Sequence, residues 1–141
     1  MSTTPQTITD QLRRDEGVRR FPYADAHGKI TIGVGRNLTD VGVSDAEIDD
    51  MLANDISNVN SQLMLNLPLY SKLDTVRAMV LCNMAFNMGF HGLLEFRRAL
   101  ACMEKQDWEG AAKEILDSQW AKQVGDRAER LAKQLTTGEW Q

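Results

Sequence analysis

The run Asp15-Glu16-Gly17-Val18-Arg19-Arg20-Phe21-Pro22-Tyr23-Ala24-Asp25, followed by Thr31-Ile32-Gly33-Val34-Gly35-Arg36, decides the fold and the chemistry that we expect. It places the carboxyl groups of Glu16 and Asp25 shortly before the hydroxyl group of Thr31. Hydrolysis of a glycosidic bond needs one protonated carboxyl group to donate to the leaving oxygen. A second, ionised carboxyl group steers a water molecule or stabilises positive charge. The spacing therefore indicates a two-carboxylate glycosidase site.

The residues before Glu16 predict a short first helix. Thr7 or Thr9 is suited to the N-cap position, and Gly17 is suited to the position just past the helix end. Glu16 then lies at the helix C-terminus, where the helix dipole disfavours negative charge. This position favours the protonated form that a general acid needs.

Asp25 lies in a predicted β-hairpin. The segments 21–23 and 29–34 have the composition and alternation of strands, and the residues between them are small or turn-forming. A carboxylate at an exposed hairpin tip stays ionised. By the two-residue period of a strand, Thr31 shares a face with Lys29 and Gly33, from which it can help Asp25 to hold a water molecule.

The rest of the chain predicts an α+β, predominantly helical fold with one small mixed lobe and one helical lobe. Ser44 and Glu47 form a capping box that opens a long helix. Further helices are predicted at about 75–88, 93–103, 108–116 and 127–134, with Asp107 as an N-cap. We expect a single domain, 1–141: a small lobe at about 17–44, a connecting helix at about 45–66 that bridges the lobes, and a helical lobe at about 67–141 that includes the N-terminal helix.

Composition limits the class of protein. The chain has 141 residues, of which 43% are hydrophobic and 26% charged, as in a soluble globular domain. The net charge is −4, and the region before Tyr70 holds 6 basic and 10 acidic residues against 10 of each after it. No basic stripe is available for phosphates, so we expect no nucleic-acid partner. No apolar run is long enough for membrane insertion, and the start of the chain lacks the features of a signal peptide.

The opening run resembles the active-site segment of the T-even phage lysozymes, glycoside hydrolase family 24. Four later segments extend the resemblance over essentially the whole chain, in order. They are Cys82-Asn83-Met84-Ala85-Phe86-Asn87-Met88-Gly89, Ser118-Gln119-Trp120, Asp126-Arg127-Ala128 and Thr137-Gly138-Glu139-Trp140.

The resemblance implies a lysozyme-like two-lobe fold and a muramidase that cuts the β-1,4 bond between N-acetylmuramic acid and N-acetylglucosamine in peptidoglycan. Glu16 then corresponds to the proton donor, Asp25 to its partner carboxylate and Thr31 to the residue that positions the water. Arg127 corresponds to an arginine that pairs with the glutamate, which opposes the effect of the helix end, and Phe86 to an aromatic residue of the cleft. The family also implies inversion, for which the carboxyl groups stand roughly 6.5 to 9.5 Å apart.

Some positions depart from the family pattern. Arg36 replaces a frequent histidine, Asn37 replaces an apolar residue, and the chain is shorter between Asn37 and Ser44. Ala99 and Glu114 fall where other substrate contacts are expected, but their chemistry differs, so no role is assigned to them.

Expectations for partners and cofactors follow from the family resemblance and from the residues themselves. We expect peptidoglycan as the substrate, a monomer, no cofactor and no metal, since His27 and His91 lack the spacing of ligands. Cys82 and Cys102 are expected to be buried thiols. As an endolysin without a signal peptide, the protein is expected to be made in the host cytoplasm and to reach the cell wall after holin-type release.

Two alternative functions stay open at this stage. The chain could be a lytic transglycosylase on the same substrate, or a non-catalytic module that binds peptidoglycan.

Asn83 and Asn87 lie in an apolar helix, and as buried amides they need partners, either near Glu16 or in an ordinary core network. The three tryptophans are predicted to anchor the helical lobe first and to bind sugar second; they are Trp108, Trp120 and Trp140.

Overall fold

The computed structural model describes residues 4–141. The chain divides into two compact units, with the boundary between Asp50 and Met51. The first unit holds one helix and a small sheet, and the second is helical throughout its regular structure. The predicted α+β, predominantly helical fold class is therefore confirmed.

The first unit begins with helix α1 (Ile8–Glu16) and continues with three strands, β1 (Arg19–Ala24), β2 (Ile30–Gly33) and β3 (Arg36–Asn37). They form an antiparallel sheet in the order β1-β2-β3. The predicted hairpin is the β1–β2 pair, in which Tyr23 lies opposite Thr31. β3 was not predicted, because two residues are too short for an alternating pattern to be visible.

Helix α2 (Asp45–Asn66) crosses the boundary between the units and begins at the predicted capping box. The Glu47 N–H donates to Ser44 Oγ at 3.2 Å, and the Ser44 N–H donates to Glu47 Oε1 at 2.9 Å. Pro68 follows the end of the helix and opens a short 3₁₀ helix at Pro68–Lys72, since proline is favoured in a first turn.

The second unit continues with α3 (Thr75–Met88), α4 (Phe90–Leu94), α5 (Arg97–Glu104), α6 (Trp108–Leu116), α7 (Gln119–Val124) and α8 (Asp126–Thr137). The helix predicted at 93–103 is in fact divided, because α4 ends before Phe96 and α5 begins after it. α7 was not predicted, although Ser118 caps it by accepting from the Ala121 N–H at 3.1 Å. Asp107 caps α6 as predicted.

The core of the second unit forms around α3. Its largest fully buried side chains are Leu63, Val80, Leu81, Met84, Leu93, Met103, Ile115 and Leu135. Cys82 is buried and Cys102 half-buried, and both are free thiols. Burial raises the pKa of Cys82. One prediction about this region is wrong: Asn83 and Asn87 are exposed, because they lie on the outer face of α3.

The tryptophans differ in their surroundings. Trp120 is buried and donates its indole N–H to Asn87 Oδ1 at 2.8 Å. Trp108 is half-buried beneath the guanidinium of Arg77, 4.4 Å from the ring centre. Trp140 is 64% exposed, so the prediction that it anchors the helical lobe is wrong. Across residues 4–141, the helices are all too short or too polar to cross a membrane.

Candidate active site

Capping interactions at both ends of α1 define the helix and place Glu16 at its last residue. Thr7 caps the start of the helix by accepting from the Asp10 N–H at 3.1 Å. Gly17 ends the helix with φ +78°, a conformation that favours glycine, and its N–H donates to Arg13 O. The predicted helix and both of its ends are therefore confirmed, and the Glu16 side chain is exposed at the last residue.

The Glu16 carboxyl group lies against the turn between β2 and β3. A methyl group placed on Gly35 would be 2.9 Å from Glu16 Oε2, 3.2 Å from Cδ and 3.3 Å from Cγ. The side chain of Glu16 thus reaches the same β ribbon that carries Asp25 and Thr31. The carboxyl group remains open to solvent, as a proton donor to a substrate must be.

Asp25 lies at the hairpin tip, where main-chain groups fix its carboxylate. Oδ1 accepts from the His27 N–H at 2.8 Å and from the Lys29 N–H at 2.9 Å. The bond from Lys29, followed by the bond and the charge of His27 and the charge of Lys29, outweighs partial desolvation and lowers the pKa of Asp25 from its ordinary value. Asp25 is therefore suited to remain an anion while a neighbouring acid is protonated.

Thr31 lies on β2 and is only 4% exposed. Its hydroxyl group donates to the Lys29 carbonyl oxygen at 3.0 Å. The main chain of Lys29 therefore binds both residues, Asp25 through its N–H and Thr31 through its carbonyl. Since the Thr31 proton is used in this bond, the lone pairs of Oγ1 are the groups left to accept from a water molecule.

The structure thus brings the three predicted catalytic residues into one unit. Glu16 comes from the end of a helix, Asp25 from the hairpin tip and Thr31 from the strand after it. An exposed carboxyl group, a carboxylate held ionised and an oriented hydroxyl group are the parts that acid-assisted attack by water requires. Within residues 4–141 there is no group of three or more His, Cys, Asp or Glu side chains that could hold a metal ion.

Arg36 and Asn37, the positions that depart from the family pattern, take part in contacts within the first unit. Arg36 donates to the Gly42 carbonyl oxygen at 3.1 Å and to Glu47 at 2.9 Å. Asn37 donates to Asp40 Oδ2 at 2.9 Å. These residues brace the shortened loop between β3 and α2.

In the second unit, Phe86 and Arg127 line one largely apolar cavity of about 300 Å³, together with Trp140. Phe86 is 43% exposed. Arg127 donates through Nε to Asn83 Oδ1 at 2.9 Å and through Nη2 to Asn83 O at 3.3 Å. The Asn83 amide oxygen therefore accepts from Arg127, and the predicted pairing of Arg127 with Glu16 stays a prediction.

Ala99 and Glu114 line a second, open groove of about 740 Å³ in the same unit, to which Trp120 also contributes. Ala99 is buried, so it offers little side-chain surface to a ligand. The structure gives neither residue a chemical role.

Two residues of the first unit were not recognised as part of the site from the sequence. Lys29 acts through its main chain, which leaves no trace in the residue type. Gly35 lies close to the Glu16 carboxyl group because it has no side chain, and its signal in the opening run is the pair of glycines around Val34. Such a pair indicates a tight turn, but it does not indicate which side chain packs on that turn.

The chain matches the family described as Phage lysozyme over residues 13–136, a range that includes Glu16, Asp25, Thr31, Phe86 and Arg127. It is similar to two proteins of Dictyostelium discoideum, Probable T4-type lysozyme 1 (28% identical) and Probable T4-type lysozyme 2 (27% identical). Each similarity covers 94% of this chain and 95% of the relative. The Pre-baseplate central spike protein Gp5 of Enterobacteria phage T4 is 30% identical over 94% of this chain but only 28% of its own length.

Proposed function

Since the chain belongs to the phage lysozyme family and is a lysozyme-like glycosidase, we propose that it is a muramidase acting on bacterial peptidoglycan. The bond cut is the β-1,4 linkage between N-acetylmuramic acid and N-acetylglucosamine. The observation that carries this proposal is the arrangement in the first unit. There an exposed Glu16 packs on the ribbon whose hairpin holds Asp25 ionised through main-chain N–H groups.

The reaction assigns one step to each residue. Glu16 donates its proton to the glycosidic oxygen as the bond from that oxygen to C1 of the muramic acid breaks. A water molecule held by Asp25 and Thr31 attacks C1, and its released proton passes to Asp25. The products are a muramic acid with a free reducing end and an N-acetylglucosamine with a free 4-hydroxyl group. Proton exchange with solvent then resets the two carboxyl groups.

We infer that the reaction proceeds with inversion, because in this scheme Asp25 activates water and forms no bond to the sugar. The support is the family resemblance, and the two main-chain hydrogen bonds to Asp25 Oδ1 fit a carboxylate that is held in place to bind water. NMR of the first product formed from a soluble peptidoglycan fragment should therefore show the α anomer of the new reducing end. Initial formation of the β anomer would instead indicate retention through a covalent glycosyl-enzyme intermediate.

Phe86 and Arg127 belong to the helical unit, and we propose them as accessory residues. Phe86 is sufficiently exposed to offer its ring to a sugar face. Arg127 is oriented by Asn83, and the proposal that it supports Glu16 is based on the family resemblance. Phe86→Ala should accordingly raise KM more than it lowers kcat.

The biological role that we propose is that of an endolysin. The protein would be made in the host cytoplasm, reach the wall through a holin-type lesion and lyse the host as a monomer. The support is the family membership; the test is host lysis on co-expression with a holin, compared with expression of the protein alone.

A zymogram on purified peptidoglycan tests the enzymatic proposal. Wild type should clear the substrate and Glu16→Gln should not, whereas Glu109→Gln, an exposed glutamate on α6, serves as the matched control and should clear it like wild type. Mass spectrometry of the products separates the alternatives. Anhydro-muramic ends would indicate a lytic transglycosylase, and binding without any product would indicate a non-catalytic module.

A further inference from the structure

Two glycines flank Val34 where the chain passes from β2 to β3, and they have the same φ. Gly33 and Gly35 both have φ +68°, in the left-handed region that side chains disfavour. Their surroundings differ. A Cβ on Gly33 would meet nothing within 4 Å, whereas a Cβ on Gly35 would lie 2.9 Å from Glu16 Oε2.

The group that a Cβ on Gly35 would meet is the far end of a flexible side chain. The nearest atoms are Oε2, Cδ and Cγ of Glu16, and Glu16 is exposed at the end of α1. The glutamate can therefore rotate away without disturbing the core. A methyl group at this position would strain the turn backbone, as at any residue with this φ, and would in addition displace the Glu16 carboxyl group.

We propose that Gly35 is a positioning residue for Glu16, because its bare Cα forms the surface on which the proton-donating carboxyl group rests. This inference rests on the proposed muramidase function and adds to it a determinant outside the acid, the partner carboxylate and the threonine. Any side chain at Gly35 displaces the acid from the ribbon that carries Asp25.

Gly33→Ala and Gly35→Ala form a matched pair that separates positioning from backbone strain. Both variants place a side chain at the same φ, so thermal melting should show a similar decrease in Tm for the two. The value of kcat should fall by about 10²-fold in Gly35→Ala, as expected for a catalytic group moved by roughly 1 Å, with KM little changed. In Gly33→Ala it should stay within about threefold of wild type.

A double variant tests whether the effect passes through Glu16. Aspartate is one methylene shorter, so in Glu16→Asp the carboxyl group no longer reaches the space beside Gly35. Adding Gly35→Ala to Glu16→Asp should therefore lower kcat much less than Gly35→Ala does in wild type. A purely structural role would give the same fold-loss in both backgrounds.

A spectroscopic measurement tests the placement of Glu16 without relying on enzyme turnover. The ¹³C chemical shift of the Glu16 carboxyl group should change in Gly35→Ala and stay at the wild-type value in Gly33→Ala. An unchanged shift, equal losses of kcat in the two glycine variants, or a much lower Tm for Gly35→Ala alone would each overturn the inference. If wild type itself released no product, the proposed function would fail, and the chemical shifts would still decide the placement of Glu16.

Discussion

Arg36 holds Glu47 through both carboxylate oxygens, with Nη1 2.9 Å from Oε1 and Nη2 2.9 Å from Oε2. Glu47 Oε1 also accepts from the Ser44 N–H at 2.9 Å. The pair ties β3 to the first turn of α2 at the point where the loop is shortened. The side chain of Arg36, followed by the main-chain and hydroxyl groups of Ser44, lowers the pKa of Glu47 to about 2.

Glu47→Gln should therefore destabilise the protein in a pH-dependent way. A carboxyl group with a lowered pKa stabilises the fold fully above its unfolded pKa, and the stabilisation is lost as the pH falls through the folded value. The difference in stability between wild type and Glu47→Gln should be constant above about pH 5.5 and shrink between about pH 4.5 and pH 2. Urea denaturation at a series of pH values measures it.

The matched control is Asp49→Asn on the same helix, an exposed acid that has no ion-pair partner among residues 4–141. It should show a small difference in stability at every pH. A Glu47→Gln difference that persists unchanged down to pH 2 would exclude the ion pair as its source.

Thr31→Val should lower kcat by about 10²-fold, because the isosteric side chain cannot accept from the attacking water. It also removes the hydrogen bond to the Lys29 carbonyl oxygen, which should reduce the free energy of unfolding by about 1 kcal/mol. Thr31→Ser keeps the hydroxyl group and should keep most of the activity. Kinetics on a soluble fragment measure both variants, and full activity in Thr31→Val would remove Thr31 from the mechanism.

Lys29→Ala should leave the pKa of Asp25 below its ordinary value. The largest cause of the lowering is the main-chain N–H of Lys29, which the substitution retains, and the ammonium charge is a smaller contribution. Because Lys29 Nζ lies 3.1 Å from Asp40 Oδ1, Asp40→Asn is the control for loss of that ion pair. Carboxyl ¹³C NMR titration gives the pKa in each variant. A return of Asp25 to its ordinary value in Lys29→Ala would show that the side-chain charge dominates.

The lowered pKa of Asp25 also determines how its contribution to stability depends on pH. Since its folded pKa is lowered, the contribution is complete above the ordinary pKa of an aspartate and disappears as the pH falls through the lowered value. If activity falls when the pH is lowered but is still above the ordinary pKa of an aspartate, protonation of Asp25 should therefore not be the cause.

Arg77→Met should reduce the free energy of unfolding by about 2 to 3 kcal/mol. The guanidinium donates to the carbonyl oxygen of Leu135 at 2.7 Å and to that of Thr136 at 3.4 Å, and it stacks over Trp108. These bonds satisfy the end of α8, where a positive charge is favoured. Urea denaturation should show the loss, whereas Arg130→Met, an exposed arginine on α8, should change stability by less than about 0.5 kcal/mol.

The sequence predicted the features that depend on neighbouring residues. The capping box of Ser44 and Glu47, the N-cap at Asp107 and the helix end at Gly17 each involve groups within a few positions of one another. Their hydrogen bonds follow from residue type and spacing alone. The hairpin around Asp25 was predicted for the same reason.

Features set by distant contacts were missed or predicted wrongly. Trp140 was expected to anchor the helical lobe, but it is exposed, because the burial of a side chain depends on which distant residues surround it. Asn83 was expected to be a buried amide because the helix is apolar, yet it lies on the exposed face and accepts from Arg127, 44 positions away. The contact of Glu16 with Gly35 likewise joins a helix end to a turn, and no local pattern contains it.

The anchoring of Asp25 by main-chain amides has a practical consequence for protein engineering. The side chains of Ala26 and His27 are exposed, and the two bonds that fix the anion come from the backbones of His27 and Lys29. Libraries that vary these two exposed positions, for instance to add positive charge, can therefore change the surface charge beside Asp25 while both main-chain hydrogen bonds to its carboxylate are kept.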